Sequence, residues 1–512
     1  MSERIGESLR WYATYTPERP AIIDGGTTFT FAQLWERACR LADALAGLGI
    51  GPGDRVAALL ANGHRYLEIY EAAALMDVAV VPLNFRFVAS EVDYVVNHAE
   101  ASALVFDTAF ADLVEEARPG LTSIGSNYIA ADGPAEGAHR YEDLLAAASD
   151  APPARKADPD ATFFQGYTSG TTGFPKGCVN PHGPFADQLR RMATLYGIGS
   201  ADRILAAAPL FHEAPVLFSL TQLIAGGTVV VTADATPEHL LEMIARHRIT
   251  WAFKVPTMWA NIAASAALKT ADVSSMRVLL SAGSPLLTRT KETLLEYFPE
   301  GSLNEFYGGT EVGLATNLWP EDQRRKTRSV GTPVYGMYIE LRDDDGNPVP
   351  QGEVGEIHIG GGTLLREYFK NPEASAEAIK GDWITLGDMG RFDEEGYLYI
   401  VDRKKDMIIS GGENIFPADI EEALYRHPAV EMCAVVGAPD ERWGEIVVAA
   451  VLLKPEMTAS EDELVAHCRE HLSRFKVPRR IDFLDEMPLS AFGKILRREV
   501  RRTYWEDEDV KI

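Results

Sequence analysis

Cysteine is scarce in this chain: Cys39, Cys178, Cys433 and Cys468 are the only four in 512 residues. They are scattered, with no C-x-x-C pair, and the histidines show no clustering. Neither a disulfide framework nor a zinc site is expected, and reduced thiols in a cytoplasmic protein are the plain reading. Positive charge is also in short supply, with 49 Lys and Arg against 75 Asp and Glu and a net charge of −26. A field of that sign repels nucleic acid and anionic lipid, so neither is expected as a general partner. An anionic substrate would need a local cationic site. The first ten residues, Met1 to Arg10, are charged and carry no apolar signal core. Long apolar runs are missing too. The longest, Val216 to Ala233, is interrupted by Thr221, Gln222 and Gly226-Gly227, and reads as a buried helix, a turn and a strand rather than a membrane span.

What is present is ordinary globular composition, 46% hydrophobic and 24% charged, in a chain long enough for several domains. Residues 30 to 50 read as a helix, with Phe31, Leu34, Ala38, Leu41, Leu45 and Leu48 at helical spacing and Gly49 to Gly53 stopping it. Strand signals at Arg55–Leu60, Val78–Pro82 and Leu104–Asp107, with a helix at Tyr66–Met76, make an α/β alternation with a largely parallel sheet. A second such run covers about 203 to 310, with strands near Ile204–Ala208, Thr228–Val231, Trp251–Phe253 and Val278–Ser281. After 330, glycines punctuate short alternating strands that suit a small twisted β-structure. Beyond the charged break Arg403-Lys-Lys-Asp406 comes an α+β tail, with a helix at Asp419–Tyr425 and strands near Cys433–Val436 and Ile446–Leu453.

The chain is organised around Tyr167-Thr-Ser-Gly-Thr-Thr-Gly-Phe-Pro-Lys-Gly177. Its glycines allow turns that a Cβ would block and bring N–H groups near a ligand, its hydroxyls add short donors, and Lys176 adds a mobile charge. Such a loop suits a polyphosphate. It is not a P-loop, because the spacing of Gly170, Gly173 and Lys176 does not match G-x-x-x-x-G-K-[ST]. Five further stretches stand out: Pro209-Leu-Phe-His212, Ser281-Ala-Gly-Ser-Pro285, Asn304-Glu-Phe-Tyr-Gly-Gly-Thr-Glu311, Thr385-Leu-Gly-Asp388 and Ser490-Ala-Phe-Gly-Lys494. Several follow strand signals, and ligands of α/β sheets gather at strand C-terminal ends.

Together these six motifs, in this order, resemble the adenylate-forming superfamily of acyl-CoA synthetases, adenylation domains and luciferases. The resemblance runs from about residue 10 to 500, with one mild departure: Ser490 stands where relatives usually have Thr. It implies a large N-terminal domain of α/β sheet subdomains plus a small β-structure, residues 1–402, a hinge at 403–406, and a small mobile α+β C-terminal cap, 407–512. It also implies a two-step reaction in which a carboxylic acid attacks ATP to give acyl-AMP and pyrophosphate, and a thiol or amine then displaces AMP.

Within that scheme, Lys176 with Thr168, Ser169, Gly170, Thr171, Thr172 and Gly173 would hold the β- and γ-phosphates. Glu311 is a hard oxygen ligand for Mg²⁺, and Thr310 would donate to the α-phosphate. Tyr307 would stack on adenine against Gly283-Ser284, with Gly308 beside it and Asn304 near the amino edge. Asp388 would accept the ribose hydroxyls, and Arg403 would reach ribose or phosphate. Lys494 would bridge carboxylate and α-phosphate during adenylation. Matched to relatives, Lys405 is the hinge residue, and Gly412 leaves room for a pantetheine arm. Trp443, Phe475 and Arg479, with Lys476, offer aromatic and cationic groups to CoA.

The resulting expectation is an AMP-forming acid:CoA ligase, with ATP, Mg²⁺ and CoA as its small-molecule requirements. The rival is an amide synthetase that passes the acyl-AMP to an amine. The acid is not readable. Pocket candidates are His212, Glu213, Trp251, Lys254, Val255, Pro256, Gly283 and Gly308, with Glu213 expected to face solvent or pair with Lys254 rather than with a cationic substrate. Oligomeric state is open, a homodimer included.

Overall fold

The computed structural model describes residues 5–154, 158–168, 175–410, 413–440, 442–489 and 495–505. Two compact units emerge: Met1–Tyr338 with Ile359–Ile384, and Ile339–His358 with Thr385–Ile512.

The first unit holds a nine-stranded and an eight-stranded sheet. In the larger, Pro20–Asp24, Thr228–Val231, Arg203–Ala206, Trp251–Lys254, Val278–Ser281 and Leu303–Gly309 lie side by side and parallel. Antiparallel partners Thr27–Thr30 on one side and Gly313–Leu318 on the other extend it. In the smaller, Arg55–Leu59 sits between Ala79–Pro82 and Ala103–Phe106, all parallel, and Thr162–Thr168 joins beside Ala79–Pro82. Strands such as Ala103–Phe106, Thr228–Val231 and Val278–Ser281 are buried at every residue, as parallel strands covered on both faces must be. That is why they read as continuous apolar runs.

The first expected helix forms over Phe31–Gly47, where Thr30 and Gln33 exchange hydrogen bonds in a capping box. The expected helix, turn and strand after Pro215 also form, as Glu213–Ile224 followed by Thr228–Val231. Among the described residues no helix is long and apolar enough to cross a membrane.

The second unit contains the charged break and the α+β tail. Its antiparallel pair Trp383–Phe392 and Leu398–Arg403 puts Asp388 opposite Arg403. The tail is a five-stranded sheet dominated by the hairpin of Val430–Asp440 and Gly444–Leu453. Alternation sorts its side chains. Cys433, Val435, Val447, Ala449 and Val451 pack with residues of the helices Pro417–Tyr425 and Glu461–His471, whereas Ala434, Val436 and Ala450 pack with Met487 and with Val500 of the helix Arg497–Trp505.

Candidate active site

In the first unit the two strands that flank the glycine-rich stretch pair with each other. Thr162–Thr168 pairs antiparallel with Lys176–Pro181, and the last register pair is Thr168 opposite Lys176. Ser169 to Gly173 lie outside the described residues, as do Gly412 and Lys494. The period of two along Lys176–Pro181 puts Lys176, Cys178 and Asn180 on one face of the strand. All three meet the Thr310–Glu311 region or its partner. Asn180 Nδ2 donates to the Thr310 carbonyl at 2.9 Å, and Cys178 Sγ donates to Glu311 Oε1 at 3.7 Å. Lys176 Nζ stands 5.3 Å from the ring centroid of Tyr368, whose hydroxyl donates to Glu311 Oε1 at 2.8 Å.

Glu311 occupies the turn between Leu303–Gly309 and Gly313–Leu318, and its backbone carbonyl accepts the N–H groups of Leu364 and Leu365 at 3.1 and 2.8 Å. These bonds fix the carboxylate from the Leu364–Tyr368 side as well as from its own strand. Gly308 is compulsory here: a Cβ would come within 1.9 Å of the Gly313 carbonyl oxygen. Tyr307, half-buried, precedes it on the strand opposite Thr316. Gly283, at φ +94°, follows the strand Val278–Ser281 and, with Ser284, is exposed.

The local electrostatics keep neighbouring groups neutral. Burial pushes the Glu213 carboxyl well above its ordinary range, Glu311 adds to the push, and a hydrogen bond with the Thr310 side chain opposes it. Burial, then Glu311, likewise raises the Cys178 thiol, so it is not a thiolate. His212 caps the helix Glu213–Ile224 against Phe211; burial and Arg86 hold its imidazole well below its usual value. A neutral imidazole there can donate one hydrogen bond and accept another.

One expectation changes. Glu213 neither faces solvent nor pairs with Lys254. It is buried and tied to Thr310, and Lys254, on the sheet face of Ala252, is fully buried with no hydrogen-bond partner for Nζ among the described residues. Strand alternation is the reason: Lys254 points with Ala252 into the helix-covered core, where burial alone lowers its ammonium to about 7. Asn304 is nearly buried at the start of its strand, where its amide donates to the Ser302 carbonyl at 3.1 Å and accepts from Asn317 Nδ2 at 3.0 Å; the second lone pair of its oxygen is left over by these two bonds.

In the second unit, Arg403 Nε lies 3.3 Å from the nearly buried Asp388 Oδ1. Lys404 binds Asp344 and Glu356 at 2.7 and 3.0 Å, and Lys405 is exposed in the single turn Lys404–Asp406. Arg497, three residues past Lys494, bonds Asp402 at 2.9 Å and also Glu421. The Trp443 ring is flanked by the guanidinium groups of Arg442 and Arg479, 4.9 and 4.6 Å from its centroid. Phe475 is 48% exposed, and Lys476 is held by Asp419 at 2.6 Å.

Tyr368 and Arg497 are the residues that sequence reasoning missed. Tyr368 belongs to the two-residue strand Glu367–Tyr368, too short to give a periodic signal, and reaches Glu311 through long-range contacts: its strand pairs with Lys176–Pro181, and Leu364 and Leu365 bond the Glu311 carbonyl.

The sequence profile of the AMP-binding enzyme family matches residues 9–369, and that of the AMP-binding enzyme C-terminal domain matches 419–494. This chain belongs to the AMP-binding enzyme family. The adenylate-forming resemblance therefore holds. Similar members include feruloyl-CoA synthase from Amycolatopsis sp, 37% identical over 496 residues, covering 96% of this chain and 97% of that protein. The long-chain-fatty-acid–CoA ligase FadD13 of Mycobacterium tuberculosis is 33% identical, covering 98% of this chain and 99% of that one. Among solved structures, the O-succinylbenzoate coenzyme A synthetase of Bacillus subtilis in complex with AMP superposes with a TM-score of 0.85 at 32% identity, covering 96% of this AMP-binding enzyme and 98% of that chain.

Proposed function

We propose that this chain is an ATP-dependent, AMP-forming carboxylic acid:CoA ligase acting through an acyl-adenylate. A carboxylate oxygen attacks the α-phosphorus of ATP, the bond to the bridging oxygen breaks, and pyrophosphate leaves. The CoA sulfur then attacks the acyl carbon, and AMP leaves with the former carboxylate oxygen. The observation that carries the reading is the convergence on Tyr368, which brings a cation, Lys176, and a buried carboxylate, Glu311, together beside the glycine-rich stretch in a chain of this family.

Lys176 and the residues Thr168 to Gly173 take the β- and γ-phosphates, and Thr310 the α-phosphate. Tyr307 with Gly283-Ser284 takes adenine. His212 presents a neutral imidazole to the acid side. Asp388 and Arg403 take ribose, Lys494 neutralises the charge gathered at the α-phosphate, and Trp443, Phe475 and Arg479 take CoA. The functional boundary falls at 403–406, with Lys405 as pivot of the cap 407–512 and Gly412 as the passage for pantetheine. Glu311 fits Mg²⁺, being a carboxylate that accepts from a hydroxyl and a thiol and forms no ion pair among the described residues; a bound Mg²⁺ would neutralise phosphate charge. The site of action is the cytoplasm, where the four buried thiols stay reduced.

The test is pyrophosphate release with ATP and Mg²⁺ over a panel of acids, with and without CoA. Aromatic acids lead the panel because feruloyl- and succinylbenzoate-activating relatives match over almost the full chain. Acid-dependent release that CoA accelerates is the expected result. Acid-dependent release indifferent to CoA would transfer the second step to an amine.

A further inference from the structure

The expectation that the histidines do not cluster fails at one place in the second unit. There the helix Glu461–His471 carries His467, Glu470 and His471, at i, i+3 and i+4, on one face of its last turn. One ligand atom from each lies within 4.8 Å of the others, and no other such trio of His, Cys, Asp or Glu occurs among the described residues. The rings of His467 and His471 stand 4.7 Å apart, centroid to centroid. Glu470 and His471 are exposed, so small rotations of their side chains close the remaining distance.

A second observation points to a ligand. His467 Nε2 lies 2.9 Å from the carbonyl oxygen of Ala423 on the helix Pro417–Tyr425. A carbonyl can only accept, so in the neutral imidazole Nε2 carries the proton and Nδ1 presents the lone pair. Metal-bound histidines are commonly oriented in this way, with the other nitrogen donating to a carbonyl or carboxylate. Behind His467, the nearly buried His427 meets it edge to face at 5.2 Å, while the His427 Nε2 stands 3.5 Å from Glu463.

We propose that His467, Glu470 and His471 form a binding site for a borderline divalent transition-metal ion, represented by Zn²⁺. Two imidazoles and one carboxylate match the donors that Zn²⁺ takes, and leave one position of a tetrahedral ion to water. Mg²⁺, which prefers an all-oxygen octahedral set, is poorly served by the same donors. The trio shares no residue with the Glu311 site of the first unit and does not depend on the ligase reading. A bound ion locks His467 on Ala423. It thereby clips the end of one helix to its neighbour, directly ahead of the segment that carries Phe475, Lys476 and Arg479.

Zn²⁺ and, separately, Mg²⁺ are titrated calorimetrically into the full chain, unaltered and as His471→Ala, with zinc-edge X-ray absorption on the Zn²⁺-loaded protein. His471 is exposed, so its loss should leave the thermal melt and pyrophosphate release unchanged. The expected result is one Zn²⁺ bound per chain through nitrogen and oxygen, no comparable Mg²⁺ binding, and Zn²⁺ affinity reduced roughly tenfold or more in His471→Ala. Absence of saturable Zn²⁺ binding, an isotherm unchanged by His471→Ala, or sulfur ligation in the absorption spectrum would each overturn the proposal.

Discussion

The two units treat their carboxylates in opposite ways. Around Thr310 in the first unit, Glu311 faces a tyrosine hydroxyl and a thiol, and Glu213 faces a threonine. Glu71, fully buried on the helix His64–Met76, has no hydrogen-bond partner for either oxygen among the described residues. In the second unit Asp388 faces Arg403, Asp402 and Glu421 share Arg497, and Glu445 takes Arg501 at 2.9 Å. The first unit does use arginine pairs, Arg37 with Glu68 and Arg277 with Asp202, but not beside Glu311. Glu311, which meets only neutral donors, is left to answer a cation from outside, whereas burial keeps Glu213 and Glu71 protonated. A carboxylate matched to arginine has its charge answered from within and serves architecture. The first arrangement is costly to hold and useful for chemistry; the second is the reverse.

Three substitutions sharpen that contrast. The largest effect is expected from Glu311→Gln. If the carboxylate serves an external cation, adenylation falls roughly 100-fold or more, in keeping with the several kcal/mol a bound metal supplies, and the Mg²⁺ concentration for half-maximal rate rises. Thermal unfolding should barely move, since the amide oxygen still accepts from Tyr368. Loss of stability with Mg²⁺ dependence intact would make Glu311 architectural after all.

Next is Arg497→Met, which strands Asp402 and Glu421. Removing one side of a largely buried ion pair costs about 3 kcal/mol, so the transition of the second unit should shift to lower urea. An unmoved transition would mean that these carboxylates are solvated and the contrast is false.

The third effect is a slope, small over any one pH unit. Burial lifts the Glu71 carboxyl to about 8, from an unfolded value of 4.5. Between those values the folded state keeps a proton that the unfolded state has released, so stability falls as pH rises, by at most about 1.4 kcal/mol per pH unit. Glu71→Gln should flatten urea stability between pH 5 and pH 8. A slope identical to that of the parent protein would show Glu71 to be charged and compensated.

Much of the first unit was legible because buried parallel strands are continuous apolar runs. Thr228–Val231 and Val278–Ser281 form over the expected residues, and the Thr30 cap fixes the start of its helix. The motif loops could be placed at strand ends for the same reason. What stayed hidden depends on distant pairing or on which face of an element a side chain takes. Tyr368 arrives on a two-residue strand. The expected exposure of Glu213, or its pairing with Lys254, fails because Glu213 is buried and the pleat turns Lys254 into the core. The segment Ile339–His358 groups with residues after 385 through contacts such as Glu356 with Thr385 and Lys404, which no local pattern announces.

The crowding at Gly308 has a practical side. Any effort to alter acid preference by randomising the stretch from Asn304 to Glu311 would fill position 308 almost always with a side chain that keeps the two neighbouring strands from closing, since the Gly313 carbonyl already takes up the space. Among the other expected pocket residues Val255 is less confined: a Cβ added at Gly283 would find Val255 Cγ1 as its nearest neighbour, at 3.7 Å.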